Sequence, residues 1–313
     1  MGNKIIDILP REGEFYKVNL HTHSTLSDGN FTPEELKGLY RSHGYSAVAF
    51  TDHRKFIPHK ELTDDKFVAL TSAELDFTLK DEEGVICSVH INALSEKEDF
   101  EGEYEKMPLD YELINKTVEE LKREGHFVTL NHPVWSNMTT EDVMRVNGID
   151  AVEIYNGIGV AFNNYADDTP IYESFLRKGG RANCVSGDDC HKKFDDGTPF
   201  KEYFTSFTAV KAKELSYGAI VDALKKGNCY CSTGPEFKSL YIEGDILHVE
   251  CSPVFGVYVH SKYLGAKTQD VRSGDVITHT ELDIGSIRKV SPYIWIQLRD
   301  TNGNKAWSTP YYF

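Results

Sequence analysis

The sequence lacks several features that would each indicate a particular class of protein. No apolar run approaches the about 20 residues that are needed to cross a membrane, and the first 15 residues lack the basic and apolar pattern of a secretory signal. Positive charge is also scarce, because 34 basic residues against 49 acidic residues leave a net charge of −15. We therefore expect a cytoplasmic protein that binds neither membranes nor, with any strength, nucleic acid.

The common sequence signatures of catalysis are missing as well. The chain has no His-Glu-x-x-His, no Walker loop, no Gly-x-Ser-x-Gly and no dinucleotide fingerprint. None of its six cysteines belongs to a Cys-x-x-Cys pair. Several of these cysteines lie in apolar, strand-like runs, which favours buried free thiols in a reducing compartment.

What is present is an alternation of strand-like and helix-like segments over the first three quarters of the chain. The clearest predicted helices are residues 33–43, preceded by Thr32 as N-cap, and residues 111–123, with apolar residues at helical spacing. Repeated βα units predict an α/β fold with a mainly parallel sheet, either closed into a barrel or doubly wound. After residue 234 the helical spacing stops and short strand-like runs follow, so we predict two domains, 1–234 and an all-β, sandwich-like 235–313.

The most informative stretch is NLHTHSTLSDG, which covers residues 19–29. We read residues 18–23 as a strand, in which His21 and His23 would point to one face because side chains at i and i+2 share a face. Asp28 follows in a Ser-Asp-Gly turn. Imidazole and carboxylate together suit zinc, manganese or iron.

Similar residues come at the ends of other predicted strands. In parallel α/β barrels the active site gathers at the carboxyl ends of the strands. Six separate segments bring histidine or carboxylate side chains to that edge, namely His21 with His23, Asp52 with His53, Glu74, His90, His132, and Asp188 with Asp189 and His191. This repetition predicts a metal site. The remaining histidines are predicted to be structural or surface residues, namely His43, His59, His126, His248, His260 and His279.

Taken in order, the motifs HTHSTLSDG, TDH, SAE, the isolated His90, NHP and SGDDCH resemble the polymerase and histidinol phosphatase (PHP) family over about residues 15–235. The resemblance implies a distorted (β/α)₇ barrel with two or three divalent metal ions at its carboxyl face. By motif, His21, His23, Glu74 and Asp189 would hold the first ion. Glu74 would bridge to a second ion, completed by His90 and His132. A third would be held by Asp28, His53 and His191.

Two further stretches, residues 227–237 and 295–313, are similar to a PHP subgroup that includes carbaryl-hydrolase-type metallohydrolases. The chain departs from the pattern at Asp188, where many members have serine, and at Thr309, where the subgroup usually has asparagine. It also departs at Arg54, where asparagine is frequent. Arg54 would either contact a substrate anion or pair with a nearby carboxylate.

The predicted function is hydrolysis by a hydroxide that zinc, manganese or iron ions hold near Glu74 and Asp189. The leading substrate class is a small phosphomonoester or a nucleotide-like phosphodiester. Arg54 and Lys192 are the predicted substrate contacts, and Asp52 is predicted to orient His53. Two alternatives stay open: a carbamate, ester or amide hydrolase that uses the same metals, and a non-catalytic binding protein that the metals stabilise.

Overall fold

A computed structural model describes residues 5–194, 198, 200–263, 267–270 and 275–313 of the chain. It is of mixed α/β class. The strands of its first part are β1 (Ile5–Asp7), β2 (Glu14–Asn19), β3 (Ala47–Phe50), β4 (Lys55–Phe56), β5 (Val68–Lys80), β6 (Val85–Leu94), β7 (Gly102–Glu103), β8 (Met107–Pro108), β9 (Phe127–Leu130), β10 (Ala151–Asn156), β11 (Asn183–Gly187), β12 (Phe207–Ala212) and β13 (Cys229–Ser232). The later strands are β14 (Phe237–Glu243), β15 (Ile246–Val254), β16 (Gly256–Ser261), β17 (Lys267–Asp270), β18 (Ile277–Asp283), β19 (Tyr293–Arg299), β20 (Lys305–Ser308) and β21 (Tyr311–Tyr312).

The two longest helices begin at residues whose side chains cap them. Thr32 forms a capping box with Glu35, and Asp110 accepts hydrogen bonds from the backbone of the next helix, as is typical of N-caps. The helices are α1 (Pro33–Ser42), α2 (Tyr111–Arg123), α3 (Thr140–Arg145), α4 (Gly157–Phe162), α5 (Thr169–Arg177), α6 (Tyr217–Lys225) and α7 (Gly285–Arg288), and Lys60–Leu62 form a 3₁₀ turn. No helix in the described ranges is long and apolar enough to cross a membrane.

The part of the large sheet that runs from β11 to β12 mixes parallel and antiparallel pairs. The pairs β2/β3, β3/β5, β9/β10 and β10/β11 are parallel. Strands β5 and β6 instead form a long antiparallel hairpin, and β6 is also antiparallel to β9. Beyond the other edge of β2, strand β12 pairs antiparallel. The prediction of a mainly parallel sheet therefore holds for β2, β3, β5, β9, β10 and β11 and is wrong at β6 and β12.

Strands β11 and β12 are joined through a side chain. The hydroxyl Oγ1 of Thr208 accepts a hydrogen bond from the backbone N–H of Ser186 (2.9 Å) and donates one to the carbonyl of the same residue (3.0 Å). Both residues are fully buried. The threonine hydroxyl thus replaces a backbone pairing between the two strands.

Replacing Thr208 by valine should lower the free energy of unfolding by about 1–3 kcal/mol, because the isosteric side chain leaves the buried N–H and C=O of Ser186 without partners. Urea unfolding monitored by circular dichroism measures the change. Thr208→Ser retains the hydroxyl and serves as the matched variant. Equal stability of the valine and wild-type proteins would show that the hydroxyl bridge contributes nothing.

The strands after residue 234 form two layers over one apolar core. Strands β1, β14, β15 and β18 make a four-stranded sheet, and β16, β19 and β20 continue the large sheet through β13. Buried residues of both layers pack together, among them Leu240, Val249 and Ile296. The pairs β13/β20 and β1/β14 both cross the predicted boundary after residue 234. The division into two domains stays a prediction.

Two smaller predictions have clear outcomes. All six cysteines are free, and five of them are buried, which confirms the prediction of free thiols. The region 235–313, predicted to be all-β, also contains the short helix α7, which follows β18.

Candidate metal centre

The His-x-His segment lies just beyond the end of β2 rather than inside a strand. The strand ends at Asn19. Thr22, between the two histidines, donates its N–H to Oγ1 of Thr51 (2.9 Å), and its carbonyl accepts from the same hydroxyl (3.0 Å). This bridge at the end of β3 fixes the backbone between His21 and His23, as Thr208 fixes Ser186.

On its other side the same segment is held by the residues that follow β11. The N–H of Asp189 donates to the carbonyl of His21 (2.8 Å), and the N–H of His23 donates to the carbonyl of Cys190 (3.0 Å). Strand β11 ends at Gly187, where a Cβ atom would lie 2.5 Å from Cβ of His21. Only glycine permits this approach, which brings Asp189 beside both histidines.

His21, His23, Glu74 and Asp189 form the first cluster, and all four are buried. The Nε2 atoms of the two histidines lie 3.3 Å apart. Each of these atoms is 3.2 Å from Oδ1 of Asp189 and 3.2–3.3 Å from a carboxylate oxygen of Glu74. These are the four residues that the resemblance assigns to the first ion.

Glu74 also belongs to the second cluster, with His90 and His132. Its Oε1 atom lies 3.0 Å from Nδ1 of His90 and 3.3 Å from Nε2 of His132. Nδ1 of His132 lies 3.0 Å from the hydroxyl of Ser136, and the side-chain amide of Asn131 donates to Oε1 of Glu74 (2.8 Å). These two contacts orient the imidazole and the carboxylate.

The third cluster surrounds Asp28 at the more open side of the site. Its carboxylate lies 3.6 Å from Nε2 of His53 and 3.5 Å from Nε2 of His191, and His23 stands at the edge of the group. The structure thus brings together all nine residues that the sequence nominated, in three adjoining clusters. Their assignment as metal ligands stays a prediction.

The buried carboxylates of the site carry negative charge that nearby cations must balance. Burial alone would lower the pKa of His21, but the carboxylates of Asp189, Glu153 and Glu74 raise it well above its usual range. Burial would likewise raise the pKa of Glu74, but His90 and His21 hold it well below its usual value. Burial lowers the pKa of His53 to about 4. The buried carboxylates therefore stay ionised and need cations, either protons on histidine or metal ions.

The donor set fits divalent cations. Among the described residues, Nδ1 of His23, Nδ1 of His53 and Oδ1 of Asp189 are buried polar atoms of nominated residues that have no hydrogen-bond partner. Buried polar atoms without partners are costly and rare. Imidazole nitrogens with carboxylate oxygens in groups of three or four suit zinc, manganese or iron.

Glu153 is a site residue that the sequence analysis missed. This buried carboxylate on β10 lies 3.1 Å from Nδ1 of His21, accepts from the N–H of His132 (3.1 Å) and accepts from the amide of Asn156 (2.8 Å). It therefore orients two nominated ligands at once. The sequence feature that could have identified it is a glutamate between the apolar residues at the start of β10, AVEIYN.

Glu202 plays a similar part for the third cluster. Its buried Oε2 atom accepts from the backbone N–H groups of His191 (2.8 Å) and Lys192 (2.7 Å). It fixes the turn that carries His191. The side chain of Lys192, a predicted substrate contact, is exposed and does not line the cavity described below.

Two acidic residues next to nominated ligands have roles other than those expected. Asp52 does not orient His53. Its carboxylate instead accepts from the backbone (2.8 Å) and hydroxyl (2.8 Å) of Ser24 and from the hydroxyl of Ser27 (2.7 Å), and so shapes the turn that carries Asp28.

Asp188 is the residue at which many members of the PHP family have serine. Its carboxylate contacts a separate group of hydrogen-bond donors. It accepts from the hydroxyl of Tyr40 (3.0 Å), the N–H of Phe204 (2.8 Å) and the hydroxyl of Thr205 (2.7 Å). Burial raises its pKa to about 6, although these donors favour the ionised form. Asp188 therefore anchors the chain that leads into β12.

A cavity of about 500 Å³ opens beside the second and third clusters. Arg54, which has a left-handed backbone (φ 62°), lies in its wall, but its guanidinium pairs with the buried carboxylate of Asp76. Arg54 was expected either to contact a substrate anion or to pair with a carboxylate, and the structure shows the pair with a carboxylate. Trp135, His53 and His90 also line the cavity.

Asp168, beside the site, offers a test of pH dependence. Its Oδ1 atom accepts from the N–H of Val134 (2.6 Å), while among the described residues Oδ2 has no partner. Burial raises its pKa well above the usual value. The carboxyl thus favours its protonated form in the folded state, and its contribution to stability is present below the unfolded pKa of about 3.9 and is lost as the pH rises through the folded pKa.

Asp168→Asn should therefore gain stability relative to the wild type as the pH rises from about 4 to 8, by about 1–3 kcal/mol for one buried unsatisfied charge. Urea unfolding of both proteins across this range measures the difference. A difference that stayed constant with pH would contradict this assignment.

Comparison with known proteins returns distant structural neighbours. No protein-family model and no curated protein matches the sequence. A two-domain protein from Bacteroides vulgatus, described as containing a predicted PHP-like metal-dependent phosphoesterase, is 16% identical, with 99% of each chain covered and a TM-score of 0.49. An amidohydrolase from Chromobacterium violaceum, with bound sulfate and no metal, is 14% identical over 59% of this chain and 93% of that one, with a TM-score of 0.40. The first description names the family that the sequence motifs resemble, but at these values the similarities do not assign the chain to a family.

Proposed function

We propose that the protein is a metal-dependent hydrolase, with a small phosphate ester as its leading substrate class. The observation that supports this is the convergence of nine histidine, aspartate and glutamate side chains in three adjoining clusters, with Glu74 shared by two of them. A cavity large enough for a small molecule opens directly beside these clusters. A purely structural metal site would instead be closed, with no cavity at its ligands.

Divalent ions in these clusters would supply Lewis acidity and an activated water for hydrolysis of the ester. The chain's own residues prepare the site for them. Glu153 holds Nδ1 of His21, and Ser136 holds Nδ1 of His132, so that the Nε2 atom of each imidazole is directed at Glu74. Asp189 and His132 have left-handed backbones (φ 52° and 26°), the kind of local strain that occurs at functional sites.

The proposed architecture is a distorted (β/α)₇ barrel followed by a small β-sandwich. Strands β2, β3, β5, β6, β9, β10 and β11 are neighbours in that order. A parallel bridge between Thr22 and Cys190 brings the ends of the series, β11 and β2, beside each other. Most of the nominated ligands lie at or beyond the ends of these strands, as in barrels with sites at one face, whereas Glu74 and His90 lie within the long strands β5 and β6.

One observation favours the second candidate, a carbamate or ester hydrolase. The Arg54 guanidinium is neutralised by Asp76, and Lys106 lies 3.7 Å from the same carboxylate. The basic groups in the cavity wall are thus partly compensated. This suits an uncharged carbamate better than a dianionic phosphomonoester.

The test is a substrate panel with protein loaded separately with zinc, manganese and iron. We expect hydrolysis of p-nitrophenyl phosphate or bis(p-nitrophenyl) phosphate, and loss of both metal and activity in His21→Ala. Cleavage of an aryl carbamate alone would replace the phosphoesterase proposal by the carbamate one. Hydrolysis that persisted in His21→Ala after loss of metal would refute the catalytic role of the clusters.

A further inference from the structure

Two kinds of residue line the cavity beside the clusters. Its polar lining includes Asp28, His53, His90 and the Arg54–Asp76 pair. Its apolar lining consists of Val85, Ile86, Cys87, Trp135 and Phe162, which we call the apolar wall. A substrate that fills this cavity therefore contacts both kinds.

Trp135 and Phe162 form the aromatic part of the apolar wall. The Trp135 ring lies edge-on to the ring of His132, with centroids 5.0 Å apart, and 6.0 Å from the ring of His90. Phe162, at the end of α4, is 6.5 Å from Trp135 on the outer side and is 68% exposed. The aromatic surface thus extends without a break from two nominated ligands to the rim of the cavity.

The long β5–β6 hairpin supplies the aliphatic part. Glu74 and His90 lie within its strands, which continue beyond the clusters to Lys80 and Val85. Val85 and Ile86 on this extension are 65% and 46% exposed. The turn with Trp135 is tied to the hairpin, because Ser88 donates its N–H to the carbonyl of Ser136 (3.2 Å). The hairpin and the aromatic residues therefore form one continuous surface.

Exposed apolar side chains grouped at the mouth of a polar site indicate that something apolar covers them. Removing such surface from water is favourable by about 25 cal/mol per Å². Both basic residues of the cavity wall, Arg54 and Lys106, already face Asp76. A second anionic group on the substrate would find little compensation there, whereas an uncharged ring would gain contact with the apolar wall.

We propose that the apolar wall is the subsite for the organic part of the substrate, and that this part is an uncharged aromatic ring. This inference rests on the proposed hydrolase function and adds the substrate class: an aromatic ester whose ring packs against the apolar wall. Offset or edge-to-face contacts with the two aromatic residues would fix its orientation.

The test compares matched ligand pairs that differ only in the ring. Benzylphosphonate and ethylphosphonate are not hydrolysed, and their binding to zinc-loaded protein can be measured by calorimetry without turnover. We expect the benzyl compound to bind about three- to tenfold more tightly. Benzyl and ethyl N-methylcarbamate, compared in the same way as competing ligands, cover the carbamate alternative.

Substitutions in the apolar wall test whether it causes the preference for the benzyl compound. Phe162→Ala should remove most of the benzyl preference and leave ethylphosphonate binding unchanged. Phe200→Ala is the matched control, because Phe200 is similarly exposed (62%) and does not line the cavity. Ligand-induced change in tryptophan fluorescence should come from Trp135, since Trp295 and Trp307 are buried in the core. Trp135→Phe should abolish that signal.

The outcomes separate this inference from the proposed function. Hydrolysis with no benzyl preference in either pair, or a preference that survives Phe162→Ala, refutes the subsite and leaves the hydrolase proposal standing. Selective benzyl binding without any hydrolysis refutes the function and supports the subsite. If sedimentation shows a wild-type dimer that Phe162→Ala dissociates, the apolar wall is a subunit interface and the inference is wrong.

Discussion

Replacing Glu74 by glutamine should lower kcat/KM for the best ester substrate by about 10³-fold or more and should remove at least one metal ion per chain. Glu74 is buried and lies within 3.3 Å of nitrogen atoms of His21, His23, His53, His90 and His132. A neutral amide can neither balance cations at this position nor present two anionic oxygens to them. Metal analysis by mass spectrometry and steady-state kinetics measure the two effects.

The matched control is Glu83→Gln, because Glu83 is exposed at the turn of the same hairpin and undergoes the same change of charge. It should keep full metal content and activity. Circular dichroism of each variant separates loss of the site from loss of the fold. If Glu74→Gln bound the full complement of metal and hydrolysed the substrate normally, the proposed arrangement of the centre would be wrong.

The second large effect is expected at Glu153, which does not line the cavity beside the clusters. Glu153→Gln should weaken metal affinity by about 10- to 100-fold, the usual cost of removing a carboxylate that orients a ligand histidine. The glutamine side chain still reaches Nδ1 of His21 and the N–H of His132 but lacks the charge that holds the histidine in place. Competition with a chelator of known affinity measures the change.

Kinetics can distinguish a residue that orients a metal ligand, such as Glu153, from a residue that binds the metal itself. Activity of Glu153→Gln should recover largely at saturating metal, whereas that of Glu74→Gln should not. Glu141→Gln, an exposed glutamate paired with Lys178, provides the control for the loss of one carboxylate. Unchanged metal affinity in Glu153→Gln would show that the contact with His21 is incidental.

Local signals predicted the helices with strong caps well. Helix α2 spans Tyr111–Arg123 as expected, and α1 begins after Thr32 and ends at Ser42, within one residue of the prediction. Both helices combine a capping side chain with apolar residues at helical spacing, and these depend only on neighbours in the chain. The short α4 carries no such pattern and was missed, although it supplies Phe162.

Strand direction could not be read from the same signals. Repeated βα units predict a mainly parallel series, but β5 and β6 form an antiparallel hairpin within it. An apolar run has the same composition in either direction. The sequence left two roles open for Arg54 and gave a wrong one for Asp52, because packing determines their partners Asp76 and Ser24.

The sequence by itself determined which side chains are available for a metal site, since histidines and carboxylates recur directly after or within apolar runs, and it nominated all nine that the structure brings together. Only the tertiary structure decided how they are held and what surrounds them. Four contacts join residues that lie at least 11 positions apart along the chain, namely Glu153 with His21, Glu202 with His191, Thr51 with Thr22 and Thr208 with Ser186. Such contacts, like the apolar wall, exist only once separate strands pack against one another, because no local pattern fixes which buried polar groups will meet.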